Sequence, residues 1–244
     1  MGDDAALPRP ARKRQQRSRE FLDAAQHIVF QEGFEGLTMS RLAKELDTVD
    51  SAVYRYFPSK GAIIAELQRE SIERLSASLA RITERADGEL AAAGVDDRLA
   101  AVARLVLLGR WFCATSETYP EELRLFGMIM SRRATALDPE GGERIFPVAM
   151  ALLARAMSFV EAGQAIGVIR EGSAIDRTVM LAAALGGLLE ADDLEHYAPE
   201  LFGGTRLARR LHLDVLAGWG ADAALLDAAS ELVDRLADGG PLAP

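Results

Sequence analysis

The sequence predicts an all-α fold in two parts: a short N-terminal unit built on a helix-turn-helix, and a larger C-terminal part of long helices. Two observations carry that prediction. Between Leu37 and Lys60 two short stretches with apolar faces flank a tight turn. Beyond them, apolar residues recur at helical spacing with no sustained two-residue alternation, and Ala and Leu dominate. A chain of 244 residues, 49% hydrophobic and 27% charged, has ample length for a core and the balance of an ordinary globular protein.

The chain opens on charge. Six basic residues and no acid lie between Arg9 and Arg19. Residues 1–60 hold ten basic and nine acidic side chains, a net +1, so the remainder carries −10 and the overall charge of −9 originates there. Residues 1–13 read as a flexible basic arm. On its own such a cluster is as readily a solvated tail; beside a helix-turn-helix it suits an arm that tracks phosphates or enters a minor groove. The first helix is expected from about Arg14, with Phe21, Ala25, Ile28 and Val29 inward, Gly33 ending it and Phe34 packing back.

The helix-turn-helix spans about 37–56. Thr38 stands where an N-cap is wanted, and Leu37 and Leu42 are spaced for a hydrophobic staple. Met39, Leu42, Ala43 and Leu46 give the first short helix its apolar face. Asp47 occupies the turn, where a left-handed backbone is required and Asp tolerates it better than most residues. Val53 and Phe57 face inward on the second short helix, while Ser51, Ala52, Arg55 and Tyr56 fall on other faces. Pro58 stops that helix and Ser59 is placed to cap the next.

A fourth helix is expected from Lys60 to about Ala86, with the first real break at 86–97. Six more follow near 97–117, 120–136, 143–166, 175–194, 205–219 and 221–237. Pro120 with Glu121 and Glu122 makes a good start. Ser173 with Asp176 has capping-box spacing, and Gly239 and Gly240 follow the last helix.

Other function classes find little support. The histidines His27, His196 and His212 show no metalloprotease spacing, and there is no nucleophile elbow and no phosphate-binding glycine loop. No catalytic residue, metal site or cofactor is expected. Glu190, Asp192, Asp193, Glu195 and His196 read as a solvated helix end rather than a metal site. His27 reads as a partly buried histidine or a phosphate contact. The single cysteine, Cys113, excludes an internal disulfide and reads as core. No run reaches about 18 apolar residues and the first residues lack a signal-peptide core, so a cytoplasmic protein without a membrane partner is expected.

From about Arg14 to Arg74 the chain resembles the DNA-binding domain of the TetR (tetracycline-repressor) family of bacterial transcriptional regulators. Three blocks carry the resemblance in order: FQEGFEGLT (Phe30–Thr38), LTMSRLAKEL (Leu37–Leu46) and VYRYFPSK (Val53–Lys60). The family usually has Gly where Asp47 stands and a Ser or Thr cap where Val49 stands; Thr48 or Asp50 can cap instead, with the helix start shifted by one. The resemblance implies a DNA-binding domain at 14–74 and a helical ligand-binding and dimerisation domain at 75–244. It implies a homodimer on double-stranded operator DNA, most often a repressor released by a small effector.

Matched by position, Ser51, Ala52, Tyr54, Arg55 and Tyr56 would belong to the recognition helix, and Thr38, Ser40 and Lys60 to its supporting contacts. Lys60 also stands out on helix physics, because a cation in a first turn is disfavoured unless an anion offsets it. For the effector, Trp111, Phe112, Tyr119, Phe126, Met130, Met150 and Met157 concentrate between 110 and 160. Singly each reads as helical core; together they suggest an apolar pocket. For the dimer, 181–193 and 205–219 offer late helices. A second reading makes the chain a helical enzyme or interaction protein in which the helix-turn-helix only packs. The motif spacing and the basic stretch favour the regulator.

Overall fold

In the computed structural model, residues 8–129, 139–189 and 197–238 are described, and they are helical throughout with no strand among them. Eleven helices occur among these residues. They are α1 (Arg9–Gly36), α2 (Met39–Glu45), α3 (Asp50–Tyr54), α4 (Lys60–Ala92), α5 (Asp97–Thr118), α6 (Pro120–Ile129), α7 (Pro139–Ala165), α8 (Ala174–Leu189), α9 (Pro199–Phe202), α10 (Gly204–Gly218) and α11 (Ala223–Ala237). They fall into two compact units. The first contains the chain to Glu70 together with the start of α7 up to Phe146; the second contains the rest of α4 and of α7 with the other helices.

Within the first unit, α1 begins at Arg9, five residues before the expected Arg14. Pro10 lies in the first turn, where its missing N–H and fixed φ cost nothing. Of the flexible arm expected at 1–13, residues 9–13 are helix instead, with Arg9, Arg12, Lys13 and Arg14 exposed on it; residues 1–7 lie outside the described residues. Gly33 breaks the helix at φ +72, a conformation glycine adopts without strain, and one further turn leads to Leu37. Phe21, Ala25, Ile28 and Val29 are buried as expected. His27 is exposed, not partly buried, because it lies off the stripe that these four define.

α4 continues to Ala92, past the expected stop. Gly88 sits inside it at a helix-propensity cost of roughly 1 kcal/mol, against which Ala86 and Leu90 are buried on either side. The break comes at Gly94, at φ +60.

In the second unit α5 is the central element. Its buried residues, among them Val102, Leu105, Leu107, Trp111, Phe112 and Cys113, lie all round the helix, the mark of a helix enclosed by others. α10 and α11 pack on it, and α10 also packs on α8. By length and composition α5 and residues Gly141–Ala165 of α7 are apolar enough to cross a bilayer, although charged residues such as Arg104, Arg110 and Arg155 interrupt them, so that neither has an unbroken apolar run of that length. The α5 stretch is 72% buried inside the protein, which is what a core helix shows.

α7 starts at Pro139, ahead of the expected 143, and α9 is a short helix that the sequence pattern did not reveal. Ser173 caps α8, its Oγ accepting the Asp176 N–H at 3.2 Å. The ends expected near 136 and 194, the acidic cluster 190–196 with His196, and Gly239 and Gly240 lie outside the described residues.

One contact locks α10 to α5. Gly109 lacks a Cβ, and the His212 ring occupies that space; a Cβ at 109 would lie 2.6 Å from it. The His212 Nε2–H donates to the Leu105 carbonyl at 2.8 Å, which leaves Nδ1 as the bare nitrogen, buried with no partner. Burial lowers the imidazole pKa from 6.5 to about 4, against the opposing pull of the Leu105 carbonyl.

Candidate nucleic-acid interface

The helix-turn-helix is assembled from local signals. Thr38 Oγ1 accepts the Arg41 N–H at 3.0 Å, so the N-cap is as expected. Leu37 and Leu42 are both fully buried. α2 then closes in a Schellman turn: the Thr48 N–H donates to the Ala43 carbonyl at 2.9 Å and the Asp47 N–H to Lys44 at 3.2 Å. Asp47 takes φ +48, the left-handed conformation that the turn demands.

α3 begins at Asp50 with Val49 as N-cap and no side-chain cap, so neither Thr48 nor Asp50 replaces the missing Ser or Thr. Asp50 has another role. It sits in the first turn, at the positive end of the helix dipole, and its carboxylate accepts a hydrogen bond from the Ser40 hydroxyl. Ser40, matched by position to a supporting contact, therefore ties α2 to α3. Arg41 joins the same face to its neighbours through Glu45 and, at 3.0 Å, Glu32. The Arg41 hydrogen bond holds the Glu45 carboxyl below its ordinary range.

Val53 and Phe57 are buried and anchor α3. Ala52 is buried as well, which corrects its expected placement on an outer face. A five-residue helix anchored by one buried valine also turns the preceding alanine toward the core. Tyr56 is half-buried, its ring 5.3 Å from Phe21, and Arg17 lies 5.0 Å over the same Phe21 ring. The tyrosine is thus partly committed to holding the segment just after α3 on α1. Ser51, Tyr54 and Arg55 remain exposed, with Tyr54 53% accessible. Val49, 64% accessible, stands with them at the head of α3; only its departure from the family pattern marked it beforehand.

Ser59 caps α4, its Oγ accepting the Ala62 N–H at 3.0 Å. Lys60 follows in the first turn, half-buried. Neither Lys60 nor Arg55 has an ion pair among the described residues. Arg19, in contrast, bridges to Glu70 at 2.7 Å. The result is a surface from the starts of α2 and α4 and from α3 that presents Thr38, Ser51, Tyr54, Arg55 and Lys60, with polar or cationic groups.

The second unit contains a separate cavity of about 60 Å³. At roughly 10–15 Å³ per water site, it has room for a ring or a short alkyl chain. Trp111, Phe112 and Phe126 line it. Tyr119 instead borders a neighbouring cleft of about 90 Å³. Met150 and Met157 are half-buried on α7 and line neither space, because the α7 face turned to the cavity carries Leu152, Leu153, Ala156 and Val160. Met130 lies outside the described residues. Leu79, Leu108, Leu181 and Leu185 complete the wall. Helical spacing marked Leu79 as core and nothing more, while Leu181 and Leu185 lie in the stretch expected to offer a dimer helix; here they face the cavity.

Cys113 shows no nucleophile character, since burial pushes its thiol up to about 11. Among the described residues no cluster of His, Cys, Asp and Glu could hold a metal.

Residues 21–67 match the model of the bacterial regulatory proteins of the tetR family. The nucleoid occlusion factor SlmA of Haemophilus influenzae is 35% identical over 74 residues, 28% of this chain and 34% of that protein. The HTH-type transcriptional repressor DrrR1 of Streptomyces coeruleorubidus is 42% identical over 55 residues, 22% of this chain and 20% of that protein. The chain thus spans about a third or less of the length of these relatives. The solved structure of the fatty acid degradation regulator FadR from Bacillus halodurans shares the fold, with a TM-score of 0.60 at 17% identity, covering 84% of this chain and 97% of that one.

Proposed function

We propose that this chain, a tetR-family transcriptional regulator in its DNA-binding domain and its fold, represses transcription as a homodimer on a two-fold symmetric operator, and that a small apolar effector releases it. The observation that carries the reading is the exposed face of α3. Ser51, Tyr54 and Arg55 stand out from a helix fixed on three sides by the Schellman turn, the Ser40–Asp50 bond and the Tyr56–Phe21 contact. Preorganised side chains at a helix surface suit base-edge contacts in a major groove.

Around it the supporting groups suit phosphates. Lys60 joins its ammonium to the free N–H groups at the start of α4, a ready anion site. Arg9, Arg12, Lys13 and Arg14 extend the positive charge along α1. The DNA-binding domain then runs to about residue 74, and residues 75–244 take the effector and the second subunit. Met180, Ala183, Ala184 and Gly187 on the outer face of α8 allow close helix approach to a partner. A repressor of this kind works in the cytoplasm, where its operator lies.

The test is a gel shift on the DNA upstream of the chain's own reading frame, with sedimentation of the free and bound protein. A dimer with half-sites about 34–36 Å apart, or a multiple of that, is expected. Arg55→Ala should cost roughly 1–3 kcal/mol on the cognate duplex and much less on a scrambled one. Equal losses on both would reduce Arg55 to a phosphate contact. A monomer that stays monomeric on DNA would overturn the reading.

A further inference from the structure

Each helix from α4 to α8 contributes to the wall of the apolar cavity, and the wall has one chemistry. Leu79, Leu108, Phe126, Leu152, Leu181 and Leu185 present hydrocarbon to it, and no titratable side chain stands among the described lining residues. Trp111 and Thr178 are the described lining residues with a side-chain donor, and both donors are engaged elsewhere. The Trp111 Nε1–H donates to Ser78 Oγ at 3.3 Å, and Ser78 lines the neighbouring cleft rather than the cavity. The Thr178 hydroxyl, itself buried, donates to the Ala174 carbonyl one turn back at 2.8 Å.

That wall sets what can bind. A ligand oxygen that accepts hydrogen bonds would leave water for a surface whose described donors are both taken, and nothing would offset its lost hydration. A charged group would lose more. Water itself is poorly held in such a space, because a buried water needs two or more polar partners. Apolar cavities of this kind stay dry and take benzene or xenon. A hydrocarbon gains dispersion contacts on every side and displaces no hydrogen-bonded group.

We infer that the effector is an uncharged hydrocarbon of about one ring, without a hydrogen-bonding group, held in the Trp111–Phe126 cavity by shape and dispersion alone. The inference rests on the reading of the second unit as an effector domain and narrows its effector to a molecule with no polar head. Selectivity then works by exclusion. An isostere that carries a hydroxyl fits the same space and is rejected for the hydration it gives up, not for a clash. Thr178 belongs to the wall as a volume, since its proton stays on its own helix.

Toluene and phenol provide a matched pair of probes, alike in shape and differing by a methyl for a hydroxyl. With Trp219→Phe, Trp111 becomes the sole tryptophan of the two in the chain and its emission reports the cavity. Toluene should shift that emission and bind roughly 10–100-fold more tightly than phenol, the range in which an apolar site discriminates against one hydroxyl. Thr178→Val should leave toluene affinity unchanged or raise it. Ala182→Leu puts a larger side chain into the cavity wall and should abolish the toluene shift, with the thermal midpoint unchanged or higher. Toluene should also release the protein from its duplex at lower concentration than phenol does. If phenol binds and releases DNA as well as toluene, or if Thr178→Val weakens either ligand, the hydrocarbon inference fails and the apolar-effector reading survives. A toluene shift that persists in Ala182→Leu also overturns it, because the ligand then sits elsewhere. If toluene binds as expected and the DNA complex persists, the hydrocarbon site stands and the effector reading fails. If toluene moves neither the Trp111 emission nor the DNA complex, both fail together.

Discussion

α2 and α5 are held by opposite means. α2 has seven residues, too few to persist alone, and its position is set at its ends: Thr38 at one, the Asp47 turn at the other, with Ser40 reaching across to α3. α5 has 22 residues and its position is set along its length, by Leu105, Gly109, Trp111 and Phe112 against the helices around it. The difference teaches where each unit is fragile. End-defined helices respond to polar and backbone changes, and enclosed helices respond to volume and to buried charge.

That contrast can be tested, starting with its largest expected effect. His212 is neutral in the folded protein and its pKa is lowered to about 4, whereas the unfolded chain takes up a proton near 6.5. The unfolded state therefore binds more protons between these values, and stability must rise with pH across them. The contribution is complete above about pH 6.5 and falls away as pH drops toward 4, by about 3 kcal/mol at roughly 1.4 kcal/mol per unit. Denaturant titrations at pH 7.5, 5.5 and 4.5 should show the loss in the wild type. A His212→Gln variant should lack this component, and a wild-type curve no steeper than that of the variant would deny the histidine its role.

Gly109→Ala comes next. Its methyl would lie 2.6 Å from the His212 ring, so α10 or the ring must shift. Overpacking of this kind costs roughly 1–3 kcal/mol, even though alanine is the better helix former. An unchanged or higher midpoint would show that α10 approaches α5 less closely than the geometry indicates.

In the first unit the matching change is at an end. Thr38→Ala removes the cap of α2 and should cost roughly 0.5–2 kcal/mol, with weaker DNA binding because α3 is positioned through α2. Amide exchange should speed up in α2 and α3 and stay unchanged in α5. Spread of the effect into α5 would contradict the distinction between the two kinds of helix.

Lys60→Ala is the smallest. Removing a cation from the first turn of α4 should raise stability by roughly 0.3–1 kcal/mol or leave it unchanged. It should weaken binding to every duplex alike and reduce the salt slope by about one. A salt slope identical to wild type would mean that Lys60 touches no phosphate.

The sequence by itself determined the helical class, the cap at Thr38, the left-handed turn at Asp47 and the buried pair Val53 and Phe57. It also placed most helix ends to within a few residues. These are local matters: a hydroxyl three residues from an N–H, a φ above zero at one position, a repeat of 3.6 along one stretch. What lay beyond it depended on residues far apart in the chain. Ala52 is buried on α3, which packs on α2, and Tyr56, just past the end of α3, is drawn onto Phe21 of α1. Arg9–Lys13 extend α1, since a basic tail and the first turns of a helix have the same composition. The methionines Met150 and Met157 missed the cavity that Leu108, Leu152 and Leu185 enclose. Nothing in the spacing around Gly109 or His212 announces that they meet, 103 positions apart, where a missing Cβ admits an imidazole. Caps and turns are written within a few residues; contacts and cavities exist only once helices have met.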